Sequence, residues 1–121
     1  MPSLLCLVVD RAPYGSIEPA EAVRHAGGAL GKGWDVTLGF MGDAVYTVLT
    51  GQAPASGEWV SLSAAVTDLI DRGGDRARVL AEQESLAVRD LSIDDLVPGV
   101  RAVARDEIAR AMAACDRTLL F

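Results

Sequence analysis

The sequence is poor in the features that mark membrane proteins and nucleic-acid-binding proteins. Its longest unbroken apolar run, Leu4 to Val9, is far shorter than the roughly 20 residues that a membrane-spanning helix needs. Met1-Pro2-Ser3 carries no basic residue, so we predict no signal peptide. The chain has a formal net charge of −6 and no run of Lys and Arg, which argues against DNA or RNA as a partner. We therefore expect a cytoplasmic protein without membrane or nucleic-acid partners.

Cysteine and histidine are equally scarce. The two cysteines, Cys6 and Cys115, lie near opposite ends of the chain without CxxC or Cys/His spacing, so neither a zinc site nor a disulfide framework is indicated. Both are predicted to be reduced, buried thiols, and burial makes a thiol inert. The single histidine, His25, falls inside a predicted helix without an obvious Ser or Cys partner, which does not favour nucleophilic catalysis. No cofactor is predicted.

What the chain does have is a high apolar content. Half of its 121 residues are hydrophobic, and the mean hydropathy is +0.26. The length fits one domain, residues 1–121, with a single sizeable core. The hydropathy is high for a monomer of this size and indicates that some apolar surface is shared with another subunit.

Short apolar runs alternate with segments of helical period, and we find no repeats or inter-domain linkers. The predicted strands are Leu4 to Val9, Val36 to Phe40, Arg78 to Ala81, Arg101 to Ala104 and Thr118 to Phe121. The predicted helices run from about Pro19 to Leu30, briefly after Gly42, from about Glu58 to Asp71, and from Asp106 to Cys115.

Particular residues support these helices. Asp43 is a plausible N-cap of the short helix. In the third helix an apolar face is formed by Trp59, Leu62, Val66, Leu69 and Ile70. The last helix is expected to bury Ile108, Met112 and Cys115.

This order of elements predicts a three-layer α/β/α domain with a five-stranded, mostly parallel sheet. The strands lack polar alternation, which is typical of a sheet covered by helices on both faces. Right-handed crossovers place the loops after the strands at one edge, where ligands bind in open α/β sheets. Any site should lie there.

Three carboxylates follow apolar strands at this edge, namely Asp10, Asp43 and Glu82. If they converged, their oxygens could hold a hard divalent cation such as Mg²⁺, which gives one functional hypothesis: a small cation-dependent or ligand-binding protein. The simpler alternative is that Asp43 caps a helix and Glu82 is solvated or bonded to a loop, because acidic residues are common at helix starts.

Four segments resemble the DsrE/DsrF/TusC proteins of sulfur relay. They are "APYGS" (Ala12 to Ser16), "GDAVYTVLTGQAP" (Gly42 to Pro54), "ESLAVRDL" (Glu84 to Leu91) and the final "CDRTLLF". The resemblance spans nearly the whole chain in the right order. It implies a five-stranded α/β/α domain that assembles into trimers or hexamers.

The resemblance also implies a chemistry that this chain lacks. Active members pass persulfide sulfur through a cysteine after the third strand, whereas sibling subunits without that cysteine serve as partners in the complex. In the TusC-like pattern, "C-A-A-S-L-x-x-R-G-L" aligns with "EQESLAVRDL", which puts Glu82 in the place of the cysteine and Asp90 in the place of a usual Gly. A carboxylate cannot carry sulfane sulfur.

The leading hypothesis is therefore a non-catalytic DsrE/DsrF-like subunit of a sulfur-transfer assembly, or a self-associating homologue. Its partners would be copies of itself, or DsrE/TusD-like and DsrH/TusB-like subunits. The predicted pocket or interface residues are Tyr14, Gly15, Ser16, Gly42, Asp43, Tyr46, Glu82, Glu84 and Ser85. An alternative keeps sulfur chemistry but moves it to Cys6 or Cys115.

Overall fold

The computed structural model describes residues 3–52 and 61–121. Five strands are present: β1 (Leu4–Val9), β2 (Asp35–Phe40), β3 (Ala77–Glu82), β4 (Arg101–Val103) and β5 (Arg117–Leu120). The α-helices are α1 (Glu18–Gly31), α2 (Leu62–Gly73), α3 (Gln83–Val88) and α4 (Arg105–Ala114). Short 3-10 helices span Gly42–Val48, Gly74–Arg76 and Ile93–Asp95.

The strands form one sheet in the order β4-β3-β2-β1-β5, and every neighbouring pair is parallel. Parallel neighbours need crossover connections, and the helices supply them. The predicted five-stranded, largely parallel sheet is confirmed. All strands point the same way, so the residues that follow β1, β2, β3 and β4 meet at one edge, which we call the carboxyl edge.

Helices cover both faces of the sheet, which confirms the three-layer architecture. On one face, buried side chains of α1 and α2 such as Ala26 and Val66 pack on Leu7 and Leu38 of the sheet. On the other face, Ile108 of α4 packs with Cys6, Leu80 and Val103. The apolar strands are thus buried because each face has a helical cover.

Helix α1 begins close to its predicted start and ends where glycine permits the turn. Pro19 stands in its first turn, where the missing proline N–H costs nothing. Gly33, just after the helix, has φ +90°, a conformation that glycine adopts without strain. The helix thus ends within one residue of its predicted end at Leu30.

Helix α2 matches the expected apolar face. Leu62, Val66 and Leu69 are buried, and Ser61 caps the helix by accepting a hydrogen bond from the N–H of Ala64. The predicted helix start at Glu58 and the apolar residue Trp59 lie outside the described residues.

Two side-chain predictions are wrong. Asp43 is not an N-cap: Met41 holds that position in the first 3-10 helix, and Asp43 lies inside its first turn, paired with an arginine instead. Cys115 follows the end of α4 and is only partly buried, as is Met112, so α4 buries Ile108 alone. Ile108 packs there in a small cluster with Cys6, Val8, Leu80 and Val103.

No helix within the described residues is long and apolar enough to cross a membrane.

Candidate functional site

The first feature of the carboxyl edge is a buried carboxylate at the end of β3. Glu82 is the last residue of that strand and the N-cap residue of α3, and it is only 2% exposed. Of the two alternatives expected for it, solvated or bonded to a loop, burial excludes the first. A buried carboxylate is costly unless it is hydrogen-bonded and paired, so its neighbours decide what it does.

Glu82 is fully engaged by other side chains. Arg105, the first residue of α4, donates from Nε to Glu82 Oε2 at 2.7 Å. Ser85 Oγ–H donates to Glu82 Oε1. Ser85 Oγ in turn accepts from the N–H of Gly42 at 2.8 Å. Residues that follow β2, β3 and β4 are thus tied together through one carboxylate.

These contacts fix the ionisation state of Glu82. Burial alone would raise the pKa of Glu82. The opposing contributions are larger: the hydrogen bonds from Arg105 and Ser85, the positive charge of Arg105 and the N–H of Gly42. The pKa of Glu82 therefore lies below its ordinary value. The hydrogen bond to Glu82 and the negative charge of Glu82 in turn raise the pKa of Arg105. Glu82 is therefore an anion at neutral pH.

A second arginine links this cluster to the exposed side of the edge. Arg89, just after α3, donates to Asp43 Oδ1 at 2.7 Å and to the carbonyl oxygen of Ser85 at 2.9 Å. Its guanidinium also lies 5.9 Å from the ring centroid of Tyr46, within cation–π range. Tyr46 itself is partly exposed.

The β1–α1 loop forms a separate, open cleft of about 420 Å³. Its lining includes Asp10, Gly15, Ser16 and Asp43, together with Arg11. Of the nine predicted site residues, only Gly15, Ser16 and Asp43 lie on this cleft, and Glu82 does not. The predicted single pocket is therefore two features, the open cleft and the closed Glu82 cluster, joined through the Asp43–Arg89 pair.

The hypothesis of a cation site is not supported. Within residues 3–52 and 61–121, no group of three or more Asp, Glu, His or Cys side chains could hold a metal ion. Asp10 and Asp43 share the cleft, but Glu82 points into its own cluster and is neutralised by Arg105.

Tyr14 has a structural role that its sequence context did not show. Its hydroxyl donates to Gln52 Oε1 and accepts from the N–H of Leu62 at 2.9 Å. Gln52 also donates to the carbonyl oxygens of Thr47 and Leu49 at 2.7 and 2.9 Å. The β1–α1 loop, the segment after β2 and the start of α2 are thereby held together.

Three polar residues of the edge were missed by sequence reasoning: Gln52, Arg89 and Arg105. Arg105 could have been found, because it comes directly after the predicted strand Arg101 to Ala104 and so falls at the same edge as Glu82. Arg89 lies within the quoted segment "ESLAVRDL", but nothing in its spacing identifies Asp43 as its partner.

The two cysteines lie away from the Glu82 cluster. Cys6 is in the middle of β1, and burial, with the neighbouring Cys115 thiol, raises its pKa to about 11. The Cys115 thiol follows the end of α4, at the edge of the sheet where the strands begin, 3.0 Å from the carbonyl oxygens of Met112 and Arg117.

The chain is similar to known proteins over nearly its whole length. The DsrE/DsrF-like family model matches residues 4–121. A protein of Vibrio parahaemolyticus named Protein TusC homolog is 33% identical over 119 residues, covering 98% of this chain and 99% of the relative.

Two solved structures share the fold. The ychN protein from E. coli superposes with a TM-score of 0.81 at 25% identity and covers 100% of both chains. The protein MTH1491 from Methanobacterium thermoautotrophicum, described as of unknown function, superposes with a TM-score of 0.77 at 14% identity, covering 98% of this chain and 99% of that one. From the family match and the TusC-like relative, we conclude that the chain belongs to the DsrE/DsrF-like family.

Proposed function

We propose that the protein is a non-catalytic subunit of a sulfur-transfer assembly, working either with copies of itself or with DsrE/TusD-like and DsrH/TusB-like subunits. The observation that carries this proposal is the closed Glu82 cluster. The position that the resemblance assigns to a sulfur-carrying cysteine holds a buried carboxylate that is already bonded to Arg105 and Ser85.

Neither cysteine offers a substitute for that missing thiol. A sulfur carrier needs an accessible thiolate of low pKa. Cys6 is buried with a pKa of about 11. Cys115 is partly exposed, but its thiol donates to backbone carbonyls and lies at the opposite edge of the sheet from Glu82. This arrangement supports a subunit that assists transfer without carrying sulfur.

The surface near the carboxyl edge supports a partner-binding role. Large apolar side chains are exposed in the segments that follow β1, β2 and β3: Ile17, Tyr46, Val88 and Ile93. Val88 is 81% exposed. Exposed apolar and aromatic side chains in one region are typical of subunit interfaces. Together with the high mean hydropathy of +0.26, they favour an assembly over a monomer.

The proposal is tested by isolating the protein with its native partners. A tagged copy purified from the native cell should bring down TusD-like and TusB-like chains, or should behave as a trimer or hexamer by size-exclusion chromatography with light scattering. A monomer that captures neither chain at micromolar concentration would contradict the proposal.

A matched pair of variants locates the interface. Val88→Glu adds a charge at the end of α3, which follows β3, whereas Leu120→Glu adds one on β5, the outer strand on the opposite side of the sheet, where Leu120 is 73% exposed. We expect Val88→Glu to disrupt the assembly and Leu120→Glu to leave it intact. The reverse result would move the interface to β5.

Sulfur transfer itself is tested by thiol labelling. Incubation of the native chain with a persulfide donor should leave no sulfane sulfur on Cys6 or Cys115, as measured by mass spectrometry of the alkylated protein. Persulfide on either cysteine would contradict the non-catalytic role.

A further inference from the structure

Ser85 and the backbone of Arg105 are held in place by contacts that do not involve the Glu82 carboxylate. Ser85 belongs to α3, and its Oγ accepts from the N–H of Gly42 at 2.8 Å. The backbone N–H of Arg105 donates to both carboxylate oxygens of Glu84, at 3.0 and 3.2 Å. The Ser85 hydroxyl and the backbone that carries the Arg105 side chain therefore keep their positions when the carboxylate is removed.

A second set of contacts fixes the backbone beneath Ser85. Arg89 donates to the carbonyl oxygen of Ser85 at 2.9 Å and is itself anchored by Asp43 at 2.7 Å. Gly42, the other support of Ser85, has φ +55°, a conformation that favours glycine. The geometry around the carboxylate is therefore built by three separate chain segments, those that follow β2, β3 and β4.

The space occupied by the carboxylate is suited to a small anion. It is shielded from solvent, since Glu82 is 2% exposed, and it is bordered by a guanidinium N–H and a hydroxyl. Charge-assisted hydrogen bonds of this kind are about twice as strong as neutral ones. Without the carboxylate these donors would face a small polar cavity, which binds water or an anion.

We propose that Gly42, Ser85 and Arg105 form an anion-binding cradle for monoanions of carboxylate or thiolate size, and that the native chain keeps it closed by occupying it with Glu82. The tethered carboxylate is present at an effective concentration that a free anion does not match. The native protein accordingly does not admit external anions at this position. This inference concerns the isolated chain and does not depend on assembly with other subunits.

The cradle is tested by replacing Glu82 with alanine, which removes the carboxylate. Glu82→Ala should regain stability when formate or acetate is added, with a melting temperature about 5–6 °C higher at ten times the dissociation constant of the anion. The wild type and the double variant Glu82→Ala/Arg105→Met should show no such anion-specific rise, with chloride at equal ionic strength as the reference. Equal responses in all three proteins would overturn the proposal.

A second variant keeps the test decisive if Glu82→Ala folds poorly. In Glu82→Cys the donors should stabilise a thiolate, so the midpoint of the pH dependence of alkylation by iodoacetamide should fall below about 8.5, the ordinary value for cysteine. Adding Arg105→Met should return the midpoint toward that value. A midpoint at or above 8.5 in Glu82→Cys would contradict the cradle, whatever the outcome of the assembly experiments.

Discussion

Two arginine–carboxylate pairs lie side by side at the carboxyl edge with opposite patterns of burial. In the Glu82–Arg105 pair the carboxylate is 2% exposed and the arginine side chain is 62% exposed. In the Asp43–Arg89 pair the carboxylate is 61% exposed and the arginine 19%. Both pairs have N···O distances of 2.7 Å, so distance alone does not distinguish them.

The difference in which partner is buried determines how much stability each mutation should remove. Removing Arg105 leaves the buried Glu82 carboxylate without its counter-charge, which is the costly outcome. Removing Asp43 leaves Arg89 with its contacts to the Ser85 carbonyl oxygen and the Tyr46 ring, so less is lost. We therefore expect the two pairs to respond to mutation in different ways.

Arg105→Met should be the most destabilising change in this set, because it leaves the Glu82 carboxylate buried without a counter-charge. The measurement is urea unfolding at pH 7, followed by circular dichroism. A matched control is Arg110→Met on the exposed side of α4, which should be close to neutral. If the two variants unfolded at the same urea concentration, Glu82 would not depend on Arg105.

Glu82→Gln should cost about 1–3 kcal/mol, because it exchanges hydrogen bonds to a charged group for weaker ones in a buried site. The side chain keeps its size, so the loss reports charge and hydrogen bonding and not a cavity. Its matched partner is Asp43→Asn, measured in the same urea series. Equal losses in the two variants would remove the contrast between the pairs.

The pH dependence of stability should reveal the same carboxylate. The folded-state pKa of Glu82 is lowered, so its contribution is fully present above the unfolded-state pKa of about 4.3 and is lost as pH falls through the folded-state value. The stability difference between wild type and Glu82→Gln should thus be constant from pH 7 to about pH 5 and shrink in more acidic solution. A difference that does not change with pH would show that Glu82 is not an anion in the folded state.

The variants Arg89→Met and Asp43→Asn should show which residue of the Asp43–Arg89 pair contributes more to the stability of the protein. Arg89→Met removes contacts to Asp43, Ser85 and Tyr46 and should cost about 1–2 kcal/mol. Asp43→Asn affects an exposed carboxylate and should cost less than about 0.5 kcal/mol. Thermal unfolding of both variants checks the order, and a larger loss in Asp43→Asn would reverse our assignment of the important partner.

Asp90→Gly should give the smallest effect, a gain of about 0.5 kcal/mol. Asp90 follows α3 with φ +57°, a left-handed conformation that glycine adopts more easily than other residues. The gain is limited because glycine also increases the entropy of the unfolded chain. Asp90→Ala is the control and should be destabilising. A loss of stability in Asp90→Gly would indicate that the aspartate side chain makes a needed contact.

The sequence allowed the sheet to be predicted because the positions and burial of the strands follow from local apolar patterns, and their parallel direction follows from the helices between them. It also placed Asp10, Asp43 and Glu82 at the same edge, since parallel strands share one direction. It could not show that Glu82 turns inward to Arg105 while Asp43 turns outward to Arg89. Which charged groups pair depends on the three-dimensional packing of loops, and no local pattern in Arg89 or Arg105 encodes it.

Asp90 stands where Gly is usual in the TusC-like pattern, and this difference, unlike the pairing of the charged groups, can be explained locally. The resemblance marked this position as one where Gly is usual, and the positive φ of Asp90 explains the preference by backbone conformation alone. The preference at this position therefore concerns the end of α3 and gives no information about chemistry.

The pairing of β1 with β5 has a consequence for how the chain folds. β1 is the first strand and β5 the last, yet they are neighbours in the sheet, and Leu4 binds Asp116 across 112 positions of sequence. Closing so long a loop is entropically unfavourable until other contacts have brought its ends together. During synthesis β1 must therefore wait, paired on one side only, until β5 leaves the ribosome. In that interval one edge of β1 is open to other chains, which makes the time of translation the period of greatest risk of aggregation.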